Sequence, residues 1–343
     1  MVMLQAASRS ESRTKKATVL SGIQATGNLH VGNYIGALSL WVENQDRYNN
    51  LFCIANLHAL TIPESVKPDY LLRKSREIAA LMLACGIDPQ RSIVFRQSDV
   101  PAHAYLAWIF DCCAPVGWLE RMTQYKVKAA SMESPSGGLL TYPVLQAADI
   151  LIYKADYVPV GDDQRQHIEL TRDIAQRFNH LYGECFPLPE ILLRTSGTRI
   201  MGLDNPTIKM SKSIAATRPG HAIGLLDSPD TVRKTVMAAV TDSRREVDPE
   251  HASAGIKNLL ILYEVLSGLS GSEVESRFAG KGYGDLKRSL ADLINQTLQP
   301  IQEKYQEIIR NPAAIDALLA EGAARASEIA DRTVAEVRQR VGI

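Results

Sequence analysis

The chain lacks paired cysteines, long apolar runs and any strong compositional bias. Its five cysteines are spread over 343 residues, and none forms the C-x-x-C pair typical of zinc and redox sites. No stretch approaches the roughly 18–20 apolar residues of a membrane span. The sequence therefore predicts no metal site, no membrane association and reduced thiols, as in the cytoplasm. Hydrophobic residues make up 45% and charged residues 22%, which excludes a disordered or collagen-like chain.

The chain also lacks net charge, because 38 Lys and Arg residues balance 38 Asp and Glu residues. This balance argues against a histone-like partner of nucleic acid, whose binding rests on bulk positive charge. The distribution is uneven, however. Basic residues outnumber acidic ones between residues 206 and 245, and Arg121, Lys126 and Lys128 form a second basic stretch. Neutrality therefore excludes only indiscriminate binding of nucleic acid.

The first part of the chain alternates strand-like and helix-like segments. Strand candidates lie at Ala17–Ser21, Asn50–Ala55 and Ser92–Arg96, and an amphipathic helix runs from Tyr70 to Cys85, where Gly86 ends it. This repetition predicts a parallel sheet with crossover helices, that is, an α/β fold of the Rossmann-like kind.

From Asn258 onward only helical periodicity remains, with a capping-box pattern at Ser270–Glu273 and an expected kink at Pro300. We therefore predict three regions. Residues 1–16 form a flexible tail, for which an organelle transit segment is the alternative. Residues 17–205 form the Rossmann-like domain. Residues 206–343 form a loop and an all-helical domain, an arrangement that leaves room for its last helices to pack back on the first domain.

A glycine-rich loop follows the first strand and opens a helix, within Ser21–Ala37. Open α/β sheets bind nucleotides at this place. The glycines let a ligand approach the backbone, and His30 and Asn33 are one helical turn apart, so both can point at one phosphate chain. The loop is neither a P-loop nor a clean G-x-G-x-x-G, and glycines that merely make turns are the alternative.

A second candidate loop holds two lysines in Ile208–Ser213, between turn-forming flanks. Such a loop can close over a polyphosphate, and its cations can neutralise the charge that grows on a leaving pyrophosphate. A Lys-x-x-Lys by itself is also typical of a solvated surface. Its meaning comes from its pairing with the first loop.

Together the two loops resemble the signatures of class I aminoacyl-tRNA synthetases. His30–Asn33 is similar to their HIGH element, with Asn33 as a usual variant at the fourth position, and Lys209–Ser213 is identical to KMSKS. Further segments resemble the bacterial-type tryptophanyl branch of that family, and the resemblance runs from about Thr18 to the C-terminus. These segments are Gly22–Gly27, Gly32–Ala37, Leu119–Gln124, Leu140–Pro143, Ala147–Leu151, Val158–Gly161, Gln166–Asp173, Arg199–Met201 and Val240–Asp242.

The resemblance implies an ATP-dependent ligase that joins tryptophan to tRNA(Trp), with Mg²⁺ entering alongside ATP and a homodimer as the working form. It implies an anticodon-binding role for the helical domain and no iron–sulfur centre, because the C-terminal cysteine cluster of some relatives is missing. The implied catalytic residues are His30, Lys209 and Lys212, acting as stabilisers rather than bases. The implied ATP-binding residues are Gln24, Ala25, Thr26, Gly32, Asn33, Gly161, Asp162, Asp163, Ile200, Lys209, Met210, Ser211, Lys212 and Ser213.

The implied amino-acid pocket centres on the apolar segment Tyr142–Tyr153, predicted as a helix that Pro143 opens. Gln146 and Asp149 are three residues apart and so share one face. The resemblance implies that Asp149 accepts the indole N–H of tryptophan, with Tyr142, Gln146 and His58 as further contacts. The alternatives are an exposed Asp149 and a structural His58. Gln146 stands where several relatives have Met, which leaves the detailed shape of the pocket open.

Three other functions compete with this interpretation. A tyrosyl-tRNA synthetase is the closest sister, but the tryptophanyl-type segments disfavour it. A nucleotidyltransferase that adenylylates a small metabolite would have no need of the long helical domain. A catalytically inactive RNA-binding relative would not be expected to keep both phosphate motifs intact.

Overall fold

The computed structural model describes residues 16–130, 132–161, 164–192, 199–244, 246–248 and 250–343, without the side chain of Ser65. The predicted tail lies outside the described residues except for its last position, Lys16. Two candidate ATP-binding residues, Asp162 and Asp163, also lie outside them.

The first half of the chain builds a five-stranded sheet in which all neighbouring strands are parallel. Its strands are β1 (Thr18–Gln24), β2 (Asn49–Ala55), β3 (Ile93–Arg96), β4 (Tyr157–Val158) and β5 (Glu190–Ile191), in the spatial order β3-β2-β1-β4-β5. The connections leave β1 towards β2 on one side and return to β4 on the other. This order is that of a nucleotide-binding α/β sheet with a switch point beside β1. The predicted α/β fold class is confirmed.

The sheet is covered on both faces, which explains why β2 is continuously apolar from Leu51 to Ala55. Successive side chains of β2 point to opposite faces. Phe52 and Ile54 join one buried cluster, and Leu51 and Cys53 join the other. The carboxyl ends of the strands are thereby left as the accessible edge of the sheet.

Eight α-helices lie between β1 and β5 in the described part of the chain. They are α1 (Val31–Asn33), α2 (Ser39–Glu43), α3 (Tyr70–Ala84), α4 (Ala102–Cys113), α5 (Val116–Glu120), α6 (Thr123–Ala129), α7 (Gly137–Leu151) and α8 (Arg165–Tyr182). A π-helical turn over Tyr34–Leu38 joins α1 to α2. The end of α3 matches the prediction, since Gly86 follows with a left-handed φ of +109°.

Helix α7 corrects one expectation, because Pro143 does not open it. The helix begins at Gly137, and the Ser136 hydroxyl accepts a hydrogen bond from the Leu139 N–H at 3.1 Å. Pro143 lies inside the helix and is buried. The serine cap and the burial of the apolar face outweigh the weak propensity of Gly137 and Gly138 and the donor missing at Pro143.

The second half is helical. Its helices are α9 (Lys212–Ala215), α10 (Pro229–Ala238), α11 (Ala254–Ser267), α12 (Gly271–Phe278), α13 (Tyr283–Ile309) and α14 (Pro312–Val341). The capping box of α12 is confirmed, since Ser270 and Glu273 exchange backbone and side-chain hydrogen bonds. Helix α13 continues through Pro300 as one helix. Isolated bridge pairs are the only extended pairing after β5 within the described ranges.

Helix α14 returns to the sheet and packs on β3. A Cβ at Gly322 would lie 1.9 Å from the Val94 carbonyl oxygen, so only glycine permits this approach. The Arg76 guanidinium of α3 also binds the Asp316 carboxylate of α14, with Nε to Oδ1 at 3.0 Å. Both buried clusters contain residues from both halves. The boundary between residues 205 and 206 stays a prediction.

None of the helices within the described ranges combines the length and apolar character needed to cross a membrane.

Candidate active site

A cavity of about 290 Å³ opens at the carboxyl ends of β1, β2 and β4, beside the switch point of the sheet. Ligands of open α/β sheets bind at this place. The cavity brings together Gln24 from the first loop and all four predicted amino-acid-binding residues. Its lining includes Leu20, Gly22, Gln24, His58, Gln124, Lys128, Tyr142, Gln146, Asp149, Val158, Val160 and Gln164.

His30 is held in one defined tautomer at the start of α1. Its Nδ1 accepts a hydrogen bond from the Asn33 N–H at 3.2 Å, and the Asn33 Oδ1 accepts one from the His30 N–H at 3.1 Å. Burial, and then the nearby charge of Lys212, lower the pKa of His30 to about 3. The imidazole is therefore neutral and carries its proton on Nε2, so it can donate to a phosphate oxygen.

The two predicted phosphate loops lie against each other. The Lys212 ammonium donates to the Gln24 carbonyl oxygen at 3.0 Å. Gly27 has a left-handed φ of +62°, and a Cβ there would lie 2.9 Å from the Lys212 Cβ. The backbone at Gly27 is thus shaped for the approach of the lysine loop.

Lys212 is held where its charge is disfavoured. Burial, followed by repulsion from Lys74, lowers the pKa of Lys212 to about 8. The Lys74 ammonium itself binds Asn28 Oδ1 at 3.0 Å and Glu77 Oε1 at 2.8 Å. An anionic ligand between the loops would restore the full charge of Lys212.

The lysine loop begins as a hairpin and ends as a helix. Met201 and Lys209 form a bridge pair, and the Met210 N–H donates to the Ile200 carbonyl at 3.0 Å. The Ser211 hydroxyl then caps α9 by accepting from the Ile214 N–H at 3.3 Å. Among the candidate ATP-binding residues, Ile200, Met210 and Ala25 are buried, while Ser213 is exposed.

Asp149 is 6% exposed, so the alternative of a solvated residue is wrong. Its Oδ1 lies 2.6 Å from His103 Nδ1 and its Oδ2 lies 2.8 Å from His58 Nε2. The Gln97 amide nitrogen lies 2.8 Å from both oxygens. Burial alone would raise the pKa of this carboxyl, but the hydrogen bonds from His103 and His58 hold it at about 2. Asp149 is therefore a carboxylate on the cavity wall.

Three residues around Asp149 were missed by sequence reasoning, namely Gln97, His103 and Tyr153. His103 is fully buried and its Nε2 lies 2.7 Å from the Tyr153 hydroxyl. Gln97 follows β3 directly, at the carboxyl edge where site residues gather. Its position after β3 was the one feature of the sequence that could have assigned Gln97 to the site. His103 and Tyr153 could be assigned to it only from the packing of the helices.

The rest of the predicted pocket is polar on one side. The Tyr142 hydroxyl lies 2.8 Å from His167 Nε2, and the Lys128 ammonium lies 5.5 Å from the centre of the Tyr142 ring. The Gln146 amide reaches Gln164 Oε1 at 3.5 Å. The Gly161 carbonyl accepts from the Gln164 N–H at 3.0 Å, so Gly161 stands just before α8. Thr26 and Asn33 are half-buried on the first loop.

A parallel sheet with a glycine-rich loop and a two-lysine loop at its switch point defines an α/β protein built to bind a polyphosphate nucleotide. A family model described as "tRNA synthetases class I (W and Y)" matches residues 12–299. The chain belongs to this family of class I tRNA synthetases, which confirms the resemblance inferred from its motifs.

Relatives are similar over nearly their whole length. The tryptophan–tRNA ligase of Wolinella succinogenes is 48% identical over 331 residues, covering 96% of this chain and 99% of the relative. The crystal structure of the tryptophanyl-tRNA synthetase of Campylobacter jejuni in complex with ADP and tryptophan superimposes with a TM-score of 0.82 at 37% identity, covering 95% and 100% of the two chains. That of Mycoplasma pneumoniae gives a TM-score of 0.86 at 33% identity, covering 96% and 98%.

Proposed function

We propose that this chain is a tryptophan–tRNA ligase, which activates L-tryptophan with ATP and transfers it to tRNA(Trp). One observation carries the proposal. Gln24 lines the same cavity as the Asp149 carboxylate, and its carbonyl binds the Lys212 ammonium. An amino-acid pocket and a phosphate site are thus continuous, as a reaction between a carboxylate and a triphosphate requires.

The indole ring is the complement of the pocket. Its nitrogen is a donor only, and the Asp149 carboxylate is an acceptor only. Three donor groups approach the Asp149 carboxylate, and the Gln97 amide nitrogen lies 2.8 Å from both of its oxygens. We assign the indole N–H to this carboxylate from the side of the cavity that it lines, and we assign Tyr142, Gln146 and His58 to the walls around the substrate.

Adenylate formation needs positioning and charge stabilisation rather than a nucleophilic side chain. The tryptophan carboxylate attacks the α-phosphate of Mg-ATP in line, forming a phosphorus–oxygen bond as the bond to pyrophosphate breaks. Neutral His30 donates to a phosphate oxygen, while Lys209 and Lys212 neutralise the charge growing on the pyrophosphate. We treat Mg²⁺ as part of the ATP substrate. The remaining ATP-binding candidates, Asp162 and Asp163 included, stay assigned by resemblance.

The second step moves the tryptophanyl group to a ribose hydroxyl of the terminal adenosine of the tRNA, with release of AMP. We assign anticodon binding to the helical half, residues 206–343. A homodimer is supported by large apolar side chains exposed on neighbouring helices, with Trp108 of α4 70% exposed and Val116 of α5 59% exposed. A cytoplasmic location is supported by the five unpaired cysteines.

Amino-acid-dependent exchange between ATP and labelled pyrophosphate tests the proposal. The purified full-length chain should catalyse exchange with tryptophan and barely with tyrosine, and it should then charge tRNA(Trp). Phenylalanine serves as a control because it has no ring donor for Asp149. Exchange that depends on tyrosine rather than tryptophan would overturn the specificity, and absence of exchange with any amino acid would overturn the reaction.

A further inference from the structure

A buried histidine that belongs to neither phosphate motif contacts the backbone of the lysine loop. His221 follows Gly220, ten residues beyond Ser211, and its side chain is fully buried. Its Nδ1 lies 2.6 Å from the Asp204 Oδ1, and its Nε2 lies 3.3 Å from both the Ser211 nitrogen and the Lys209 carbonyl oxygen. One imidazole thus links the Asp204 carboxylate to the backbone of the lysine loop at Ser211.

The Asp204 carboxylate determines which nitrogen of the His221 ring carries the proton. A carboxylate is an acceptor only, so His221 Nδ1 must carry a proton and donate to it. In the neutral ring Nε2 is then an acceptor, and it can receive the Ser211 N–H. This contact fixes the peptide at the point where α9 begins, immediately before Lys212.

The backbone around the pair is shaped to admit the ring. A Cβ at Gly202 would lie 2.3 Å from His221 Cε1, so any other residue there would displace the imidazole. The His221 carbonyl also accepts from the Leu203 N–H at 3.1 Å, and the Gly202 N–H donates to the Ile208 carbonyl at 2.7 Å. Ring and main chain together tie the two sides of the hairpin.

We infer that His221 is a positioning residue for the lysine loop. Oriented by Asp204, it holds the Ser211 N–H through Nε2 and so sets where the lysine loop places the Lys209 and Lys212 ammonium groups when pyrophosphate leaves. The ring touches no reacting atom in this role. The catalytic part of the inference rests on the proposed function, whereas the part concerning loop position does not.

Two substitutions at the same site separate this role from simple core packing. His221→Asn keeps a donor at the Nδ1 position for Asp204 but is too short to reach the loop. His221→Gln places its amide near the Nε2 position, within reach of the Ser211 N–H. One lost hydrogen bond changes an equilibrium by about 2- to 12-fold. We therefore expect His221→Asn to lower kcat of ATP–pyrophosphate exchange about tenfold with little change in the KM for ATP, and His221→Gln to retain about a third or more of kcat.

Hydrogen–deuterium exchange of the ligand-free chain supplies a readout that is independent of activity. In His221→Asn the peptides covering residues 208–214 should exchange about 2- to 12-fold faster, while those of α10 keep their wild-type rates. His251→Asn is the matched control, since it removes an imidazole 2.9 Å from the Asp248 carboxylate at an exposed position. It should leave both measurements unchanged.

Each other outcome overturns the inference. Wild-type kcat and exchange in His221→Asn would show that the contact positions nothing. Equal losses in both His221 variants, accompanied by equally lowered melting temperatures, would leave a purely structural histidine. If His221→Asn does not fold, Asp204→Ala decides, because it removes the acceptor that fixes the proton on Nδ1 and orients the ring. It should accelerate exchange in residues 208–214, and an unchanged rate there refutes the role. Failure of the proposed function would show instead as absent tryptophan-dependent exchange in the wild type.

Discussion

Removing the N–H from the substrate, rather than Asp149 from the protein, gives the sharpest test of the amino-acid pocket. Asp149→Ala would strand the donors of His58, His103 and Gln97 in a buried site. Each stranded donor costs about 1–3 kcal/mol, so together they cost about 3–9 kcal/mol, which rivals the whole stability of a typical domain. Asp149→Ala would therefore report on the folding of the protein and not on the recognition of tryptophan. An analogue of tryptophan with sulfur in place of the indole N–H leaves the protein untouched.

The structure sets the size of the expected loss. A hydrogen bond to a charged group is worth about 1.5–3 kcal/mol, which corresponds to about 10- to 150-fold in kcat/KM at 1.36 kcal/mol per tenfold. Losses of about 10⁴–10⁵ arise where a polar group of the site is left wholly unpaired. Asp149 keeps its three protein donors when the analogue binds. We therefore expect the analogue to lower kcat/KM by about 10- to 150-fold rather than by about 10⁴–10⁵.

ATP–pyrophosphate exchange with tryptophan and with the sulfur analogue measures this difference, with the KM for ATP as the internal control. The analogue should lower kcat/KM for the amino acid by about 10- to 150-fold and leave the KM for ATP unchanged. A loss of less than about threefold would remove Asp149 from indole recognition. A loss beyond about 10⁴ would contradict the view that the protein donors satisfy the carboxylate.

Further predictions concern Lys212 and α14. Because the pKa of Lys212 is lowered to about 8, its ammonium is lost as pH rises through that value, so kcat/KM for ATP should fall above pH 8 in the wild type. Lys212→Arg should abolish this fall in initial-rate profiles, and an identical profile in both proteins would assign it to another group. Titration calorimetry of ATP near pH 8 in buffers of different ionisation enthalpy should show proton uptake that Lys212→Arg lacks. Gly322→Ala should lower the free energy of unfolding by about 1–3 kcal/mol or more, because its Cβ would meet the Val94 carbonyl. Gly117→Ala is the control, because a Cβ there would stand in open space within α5. Denaturant titration of both variants should show a lowered free energy of unfolding for Gly322→Ala only.

Sequence patterns predicted what depends on near neighbours along the chain. Strands β1, β2 and β3 and the end of α3 follow from apolar periodicity and a glycine stop. The capping box of α12 follows from the spacing of Ser270 and Glu273. The start of α7 was misplaced because Pro143 is a favoured first-turn residue, while the actual cap, Ser136, precedes two glycines that predict a loop. At this position the Ser136 cap and the burial of the helix outweigh the low helix propensity of the two glycines.

The surroundings of Asp149 could not be predicted in the same way, because they are assembled from separate elements. Gln97 follows β3, His103 belongs to α4 and His58 follows β2. A buried carboxylate must have donors, so the sequence could require partners for Asp149 without naming them. The same holds for His221, whose meaning depends on Asp204 lying beside it across a hairpin.

The balance of 38 basic against 38 acidic residues says little about this site, because the site works through single charges in fixed surroundings. His30 is kept neutral by burial, so it can donate to a phosphate without adding to the repulsion between lysines. Lys212 is kept where its own charge is disfavoured. Since an anion raises the pKa of a neighbouring lysine, a bound triphosphate is stabilised more strongly by this half-desolvated ammonium than by a solvated one. The gain grows as charge gathers on the departing pyrophosphate, which is the step that the lysine loop is proposed to accelerate.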